Sequence, residues 1–208
     1  MIRPLAIVLT VACGTLLTGC LPPEPTPGVD PAASPAGPTP AETLETPVTL
    51  PAFVLPECAD LFSADEILAL MGERMEFVVP DGVPENAAYG TSFPELRAEL
   101  AAGDSVSCTW VLPASEYGVT VSVMLASPDV FDLVASTLRA SGSDGTSTGG
   151  ESIIFAIDLP ETEVAAGQVE AHYLSPEIWV SAQGTQSAPA LTQAAMDYVI
   201  ELNPDYAG

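Results

Sequence analysis

Between residues 106 and 125 the side chains alternate in polarity twice over. Val106, Cys108, Trp110 and Leu112 alternate with Ser107, Thr109 and Val111; Val119, Val121, Val123 and Leu125 alternate with Thr120, Ser122 and Met124. A two-residue period marks a strand with one face toward a core. The turn-rich connection Pro113–Gly118 makes the two runs an antiparallel hairpin. Val169–Leu174 and Glu177–Gln183 repeat the pattern around Ser175-Pro176. Parity then sorts the side chains. Tyr173 is expected opposite Ile178 and Ala171 opposite Val180, both inward. His172 and Trp179 are expected to face each other on the outward face, beside Glu170, Ser181 and Gln183. An outward Trp on a polar sheet face is a candidate recognition anchor, and Thr109, Thr120, Ser122 and Met124 would extend it into an open binding platform.

The helices are announced by their caps. Ser63-Ala-Asp-Glu66 is a capping box with Phe62 placed to staple onto Ile67, and the helix is expected to stop at Gly72. Met75–Val79 reads as a short strand. Ser92-Phe-Pro-Glu95 opens a second helix ending at Gly103. Ser127-Pro128-Asp129 caps a third, with the apolar stripe Val130, Phe131, Val134 and Leu138. A Ser/Gly loop, Ser141–Gly150, precedes a strand marked by Ile153, Phe155 and Ile157. The last helix opens at Ser187, buries Leu191, Ala195, Tyr198, Val199 and Leu202, and is stopped by Pro204. These elements predict an α+β domain, an antiparallel sheet with helices packed on one face as a two-layer sandwich. Hairpin, Ser/Pro cap and helix occur twice, which suggests a ββα pseudo-repeat.

The N-terminal fifty residues obey different rules. Arg3 gives a charged start and Leu5–Leu17 an apolar run of about 13 residues, too short to span a bilayer, which takes about 20, and suited to a signal-peptide core. It ends in Leu17-Thr18-Gly19-Cys20, a tetrad that resembles the bacterial lipobox. The resemblance implies cleavage after residue 19 and a diacylglyceryl group on Cys20; two acyl chains suffice for stable anchoring. From Leu21 to Pro51 run ten of the 21 prolines, without apolar periodicity. This is a stalk of polyproline-like character, reaching about 90 Å if fully extended at ~3.1 Å per residue. The expected organisation is a signal peptide over 1–19, lipidated Cys20 and stalk over 20–51, and a folded domain over 52–208.

With Cys13 removed and Cys20 acylated, Cys58 and Cys108 remain, and an even pair in an exported protein reads as a disulfide. The rival, a zinc or catalytic site, finds one histidine, His172, and no Cys-x-x-Cys. Charge excludes a further class. The chain has 28 acidic residues, four arginines and no lysine, so no basic patch for nucleic acid can be assembled.

Catalytic motifs fare poorly. Gly145-Thr-Ser147-Thr-Gly149 has the letters of a nucleophile elbow, with Asp158 and His172 available, but a helix precedes and a strand follows, the reverse of what the motif requires. Asp144-Gly145 with Glu151 mimics half an EF-hand, whose other half would fall on Ala140 and Gly142, without side-chain oxygens. Calcium on Asp81, Glu85, Glu161 or Glu163 has no supporting spacing. Paired carboxylates of glycosidase type have no specificity among so many acids, and no phosphate loop or Schiff-base lysine exists. No cofactor is implied.

Together, the lipobox, the stalk, Cys58-Ala-Asp-Leu61-Phe-Ser63 with its helix, and Cys108-Thr-Trp110 resemble a family of actinobacterial envelope lipoproteins. The resemblance covers about Glu57 to the C-terminus. It implies a disulfide-stapled, sensor-like α+β domain outside the membrane, and carries over no catalytic residue. The leading expectation is a non-enzymatic, lipid-anchored envelope module that binds a protein, wall or lipid partner. A carrier of an apolar ligand and a wall-acting hydrolase are the alternatives.

Overall fold

A computed structural model describes residues 51–78, 88–115, 117–160, 167–184 and 186–206. The signal segment, Cys20 and the stalk through residue 50 lie outside the described residues, as do Asp81, Glu85, Glu161 and Glu163. Within the compact unit Val48–Gly208 the order is α1 (Cys58–Leu61), α2 (Ala64–Met71), β1 (Glu76–Val78), α3 (Pro94–Ala102), β2 (Ser105–Val111), β3 (Gly118–Leu125), α4 (Pro128–Ala140), β4 (Thr146–Gly149), β5 (Ser152–Asp158), β6 (Val169–Leu174), β7 (Ile178–Gln183) and α5 (Ala188–Leu202), closed by a 3₁₀ turn at Pro204–Tyr206.

The strands form one seven-stranded sheet in the order β1-β2-β3-β7-β6-β5-β4, antiparallel at every pairing. The α+β fold and antiparallel sheet are those expected. Local chemistry explains the elements. Ser63 accepts from the Glu66 N–H while the Glu66 carboxylate accepts from the Ser63 N–H, closing the capping box at the start of α2. Gly72 ends that helix at φ 72°, a left-handed conformation that costs glycine nothing. Ser127 accepts from the Val130 N–H and caps α4. Segment 146–149, read from sequence as part of a loop, is instead the edge strand β4, irregularly paired to β5.

One layer of helices becomes two. Strand residues alternate between separate cores. Val119, Val121, Val123, Ala171, Tyr173, Ile178, Val180 and Ala182 pack with Cys108, Trp110 and the buried stripe of α5. Met124, Leu174, Trp179 and Phe155 pack on the opposite face with Leu96 and Leu100 of α3 and Val130, Val134 and Leu138 of α4. The sheet is therefore covered on both faces, which corrects the two-layer expectation. The same fact corrects the pseudo-repeat: β2-β3-α4 and β6-β7-α5 share chain order, but α4 and α5 lie on opposite faces of neighbouring antiparallel hairpins. The units have opposite hand, and no rotation superposes them.

Cys58 and Cys108 form a disulfide with Cα atoms 5.4 Å apart, tying α1 to β2. The start and end of the domain are joined too. The Asn203 side chain accepts from the Val54 N–H at 2.7 Å and donates to the Val54 carbonyl at 2.9 Å, and Phe53 meets Tyr206 edge-on.

Candidate functional site

The face covered by α3 and α4 carries three rows of side chains. One row is apolar: Met124, Trp179 and Leu174, neighbours across β3, β7 and β6. The next holds Ser107, Ser122, Ser181 and His172, and the third Thr109, Thr120, Gln183 and Glu170. Burying two polar rows is costly unless they pair. The hydroxyls partly pair with each other, Ser107 with Ser122 at 2.7 Å and Thr109 with Thr120 at 2.9 Å. The Ser181 hydroxyl and the Gln183 side-chain oxygen are buried with no partner among the described residues.

Glu170 is the centre of what remains. It is fully buried, as are His172, Trp179 and Thr91. One carboxylate oxygen accepts from the Thr91 hydroxyl at 2.5 Å and faces His172 Nε2 at 2.7 Å; the other accepts from the Ser92 N–H at 2.8 Å and the Ser92 hydroxyl at 2.5 Å. The Trp179 indole N–H donates to His172 Nδ1 at 3.1 Å, with the rings stacked 5.9 Å apart at 18°. Indole nitrogen can only donate. Nδ1 is thus the acceptor in that contact, and Nε2 is left to donate to Glu170. Burial pushes the Glu170 carboxyl up; the hydrogen bond and electrostatic attraction of His172, with the hydrogen bonds from Ser92 and Thr91, outweigh it and hold the group below its ordinary value of 4.5.

Position in the chain explains the geometry. Glu170 and His172 are two apart on β6 and so share a face. The segment before α3 crosses that face at close range. The Gly90 N–H donates to the Ser122 hydroxyl at 2.9 Å, and a Cβ on Gly90 would lie 2.4 Å from the Ser181 carbonyl oxygen. Only glycine fits there. Ser92, read from sequence as a helix cap, is not one: Phe93 occupies the N-cap position of α3 without a side-chain bond, because Ser92 is turned onto Glu170.

A cavity of about 430 Å³ lies beside this cluster, bordered by Tyr89, Leu100, Ser105, Val106, Ser107 and Thr109 among others. Its described lining is uncharged, with hydroxyls from β2 facing apolar groups from α3 and the segment before it.

The structure brings His172 and Trp179 together but not as an exposed platform. The parity is right and the exposure wrong, since α3, α4 and residues 89–92 cover the face. The register also moves by two. Tyr173 pairs with Val180, Ala171 with Ala182 and Leu174 with Trp179, so His172 and Trp179 are diagonal neighbours. The cause is a turn centred one residue later, on Pro176-Glu177, in which the Ser175 N–H donates to the Ile178 carbonyl and the Ser175 hydroxyl accepts from the Ile178 N–H. Sequence reasoning placed Glu170 only as a flanking surface residue and gave Thr91 and Ser92 no role with it. The available signal was Glu170-Ala-His172 sharing a face with Trp179, three polar or amphipathic groups able to satisfy one another.

Ser147 of the Gly-x-Ser-x-Gly segment sits on the exposed edge strand β4, away from any strand-to-helix turn. Among the described residues no group of three His, Cys, Asp or Glu is placed to hold a metal ion, and no helix is long and apolar enough to cross a membrane. Comparison of the chain with known protein families, with curated proteins and with solved structures finds no match.

Proposed function

We propose that this chain is an exported lipoprotein, anchored to the outer side of the cell membrane through acylated Cys20, whose folded domain is a non-enzymatic binding module held out on a proline-rich stalk. The observation that carries the reading is the Cys58–Cys108 disulfide. Such bonds persist in oxidising compartments outside the cytoplasm, and the lipobox accounts for the two cysteines left over. The stalk has a use in that setting, since it carries a domain through a wall layer toward a partner. The binding role is supported by two features. The acid–base pair Glu170 and His172 is buried under helices with its hydrogen bonds committed inside the protein. The cavity beside β2, whose described lining combines hydroxyls with apolar groups, has the mixed character of a small-ligand site, and it lies within the size range such sites occupy, roughly 300–1,000 Å³.

Two experiments test the two halves. Cys20→Ala should release the protein from the membrane fraction into the medium; retention of the variant in the membrane would refute the anchor. Native purification with crosslinking and mass spectrometry should recover a bound molecule or an envelope partner. A clean, ligand-free and partner-free monomer would count against the binding module.

A further inference from the structure

The attachment of α3 to the sheet is unusual in kind. α3 buries two side chains, Leu96 and Leu100, where α5 buries six. Much of what holds residues 88–102 down is polar: the Gly90 N–H on Ser122 and the Ser105 hydroxyl on the Leu100 carbonyl, and above all the three donors that Thr91 and Ser92 present to Glu170. Three of the four hydrogen bonds to one buried carboxylate thus come from this single segment. Ala88, Tyr89, Leu100 and Ala101 of the same segment form one wall of the cavity.

We propose that residues 88–102 form a pH-released flap: the ionised Glu170 carboxylate latches the flap to the sheet, and protonation of Glu170 frees it and the cavity wall it carries. Hydrogen bonds to an ionised acceptor are about twice as strong as neutral ones, so a proton on Glu170 weakens all three flap contacts together. The proton also takes a lone pair that a donor now occupies. The His172 contact reaches the same carboxylate from β6 itself, so it does not hold the flap. The groups acting on the carboxyl are His172, Ser92 and Thr91. The charged side chains of the covering helices, Glu95, Arg97 and Glu99 on α3 and Asp129, Asp132 and Arg139 on α4, are not among them. Its ladder neighbours, Gln183 on β7 and Ile157 on β5, are uncharged. The carboxyl is held below 4.5, so the latch is closed above that value and opens as pH falls through the folded-state value.

Hydrogen–deuterium exchange of the full mature chain, with rates divided by the intrinsic chemical rate at each pH, tests this. On lowering pH from neutral through the carboxylate range, amides of residues 91–102 should lose protection by about tenfold for each unit of pKa depression, while amides of β3 stay protected. Glu170→Gln, a permanently neutral latch, should raise flap exchange at neutral pH and abolish the further rise on acidification. Loss of protection in step across the flap and β3, or none in the flap, overturns the proposal. If Glu170→Gln does not fold, Thr91→Val decides. It removes one flap donor, together with the acceptor of the Phe93 N–H, and keeps the carboxylate and its His172 contact, so exchange of flap amides beyond residue 93 should rise at neutral pH with the acid dependence retained. Flap exchange unchanged in Thr91→Val overturns the latch.

Discussion

Replacing Trp179 by Ala measures directly whether the second face of the sheet is core. The indole is fully buried among Met124, Leu174, Phe155 and the buried stripes of α3 and α4. Truncating a core aromatic to Ala costs about 3–5 kcal/mol. Losing the N–H that His172 Nδ1 accepts leaves a buried acceptor unpaired, worth a further ~1–3 kcal/mol. Partial collapse of α3 and α4 into the gap lowers the total, so about 5 kcal/mol is expected. That is a large share of the roughly 5–15 kcal/mol that stabilises a domain. With a urea m-value of about 2 kcal/mol/M, the unfolding midpoint should fall by about 2.5 M. Trp110, the other tryptophan, lies in the opposite core and reports unfolding by fluorescence in the variant. Trp179→Phe separates the contributions, since it keeps most of the ring contact and loses the N–H, and should cost about 1–2 kcal/mol. A surface Trp would behave differently, with changes within about 0.5 kcal/mol. If Trp179→Ala shifted stability by less than about 1 kcal/mol, the covered face and the hydrogen-bonded cluster beneath it would both be wrong.

Two further outcomes follow from the packing. Replacing Cys58 and Cys108 together by Ser removes a cross-link between residues 50 apart in sequence and should lower stability by about 4 kcal/mol on the chain-entropy account, read as a denaturant midpoint against the oxidised parent. Gly90→Ala places a Cβ 2.4 Å from the Ser181 carbonyl oxygen, which is backbone and cannot swing aside; lifting of the segment should cost about 1–3 kcal/mol and raise amide exchange at residues 90–92, and an unperturbed variant would show that the segment does not approach the sheet closely.

What was legible in the sequence is what local rules control. The hairpins at 106–125 and 169–183, the cap of α2 at Ser63 and of α4 at Ser127, and the stop at Gly72 each depend on a few adjacent residues. The disulfide was legible by cysteine counting. Three features were not. β4 has the composition Thr-Ser-Thr-Gly, which carries no apolar alternation because all four residues are exposed, so an edge strand looked like a loop. The β6–β7 register moved by two because Ser175 closes onto Ile178 through its side chain as well as its backbone, which centres the turn one residue later. Ser92 has the spacing of a helix cap, and a tertiary partner, Glu170, outcompeted the local one.

The misreading of the His172–Trp179 face has a single physical origin. Alternation of apolar and polar residues is normally the signature of one buried and one solvated face, because strands covered on both sides run nearly continuously apolar. Here the covered second face keeps Ser107, Thr109, Thr120, Ser122, Ser181, Glu170 and His172, and much of this polarity is tolerated because the hydroxyls pair across strands and Glu170 gathers donors from outside the sheet. Periodicity reports polarity, and polarity stands for exposure only where water is the one available partner. Geometry held the missing constraint. Seven strands at about 4.8 Å spacing span about 30 Å, and helices about 10 Å across fill that width three at a time. Four helices of two or more turns, α2, α3, α4 and α5, exceed one layer, so one or more had to cross to the polar face. Two of them did: α4 laid its apolar stripe there with Met124, Leu174 and Trp179, and α3, which buries only Leu96 and Leu100, joined it because Thr91 and Ser92 just ahead of it met the carboxylate waiting on β6.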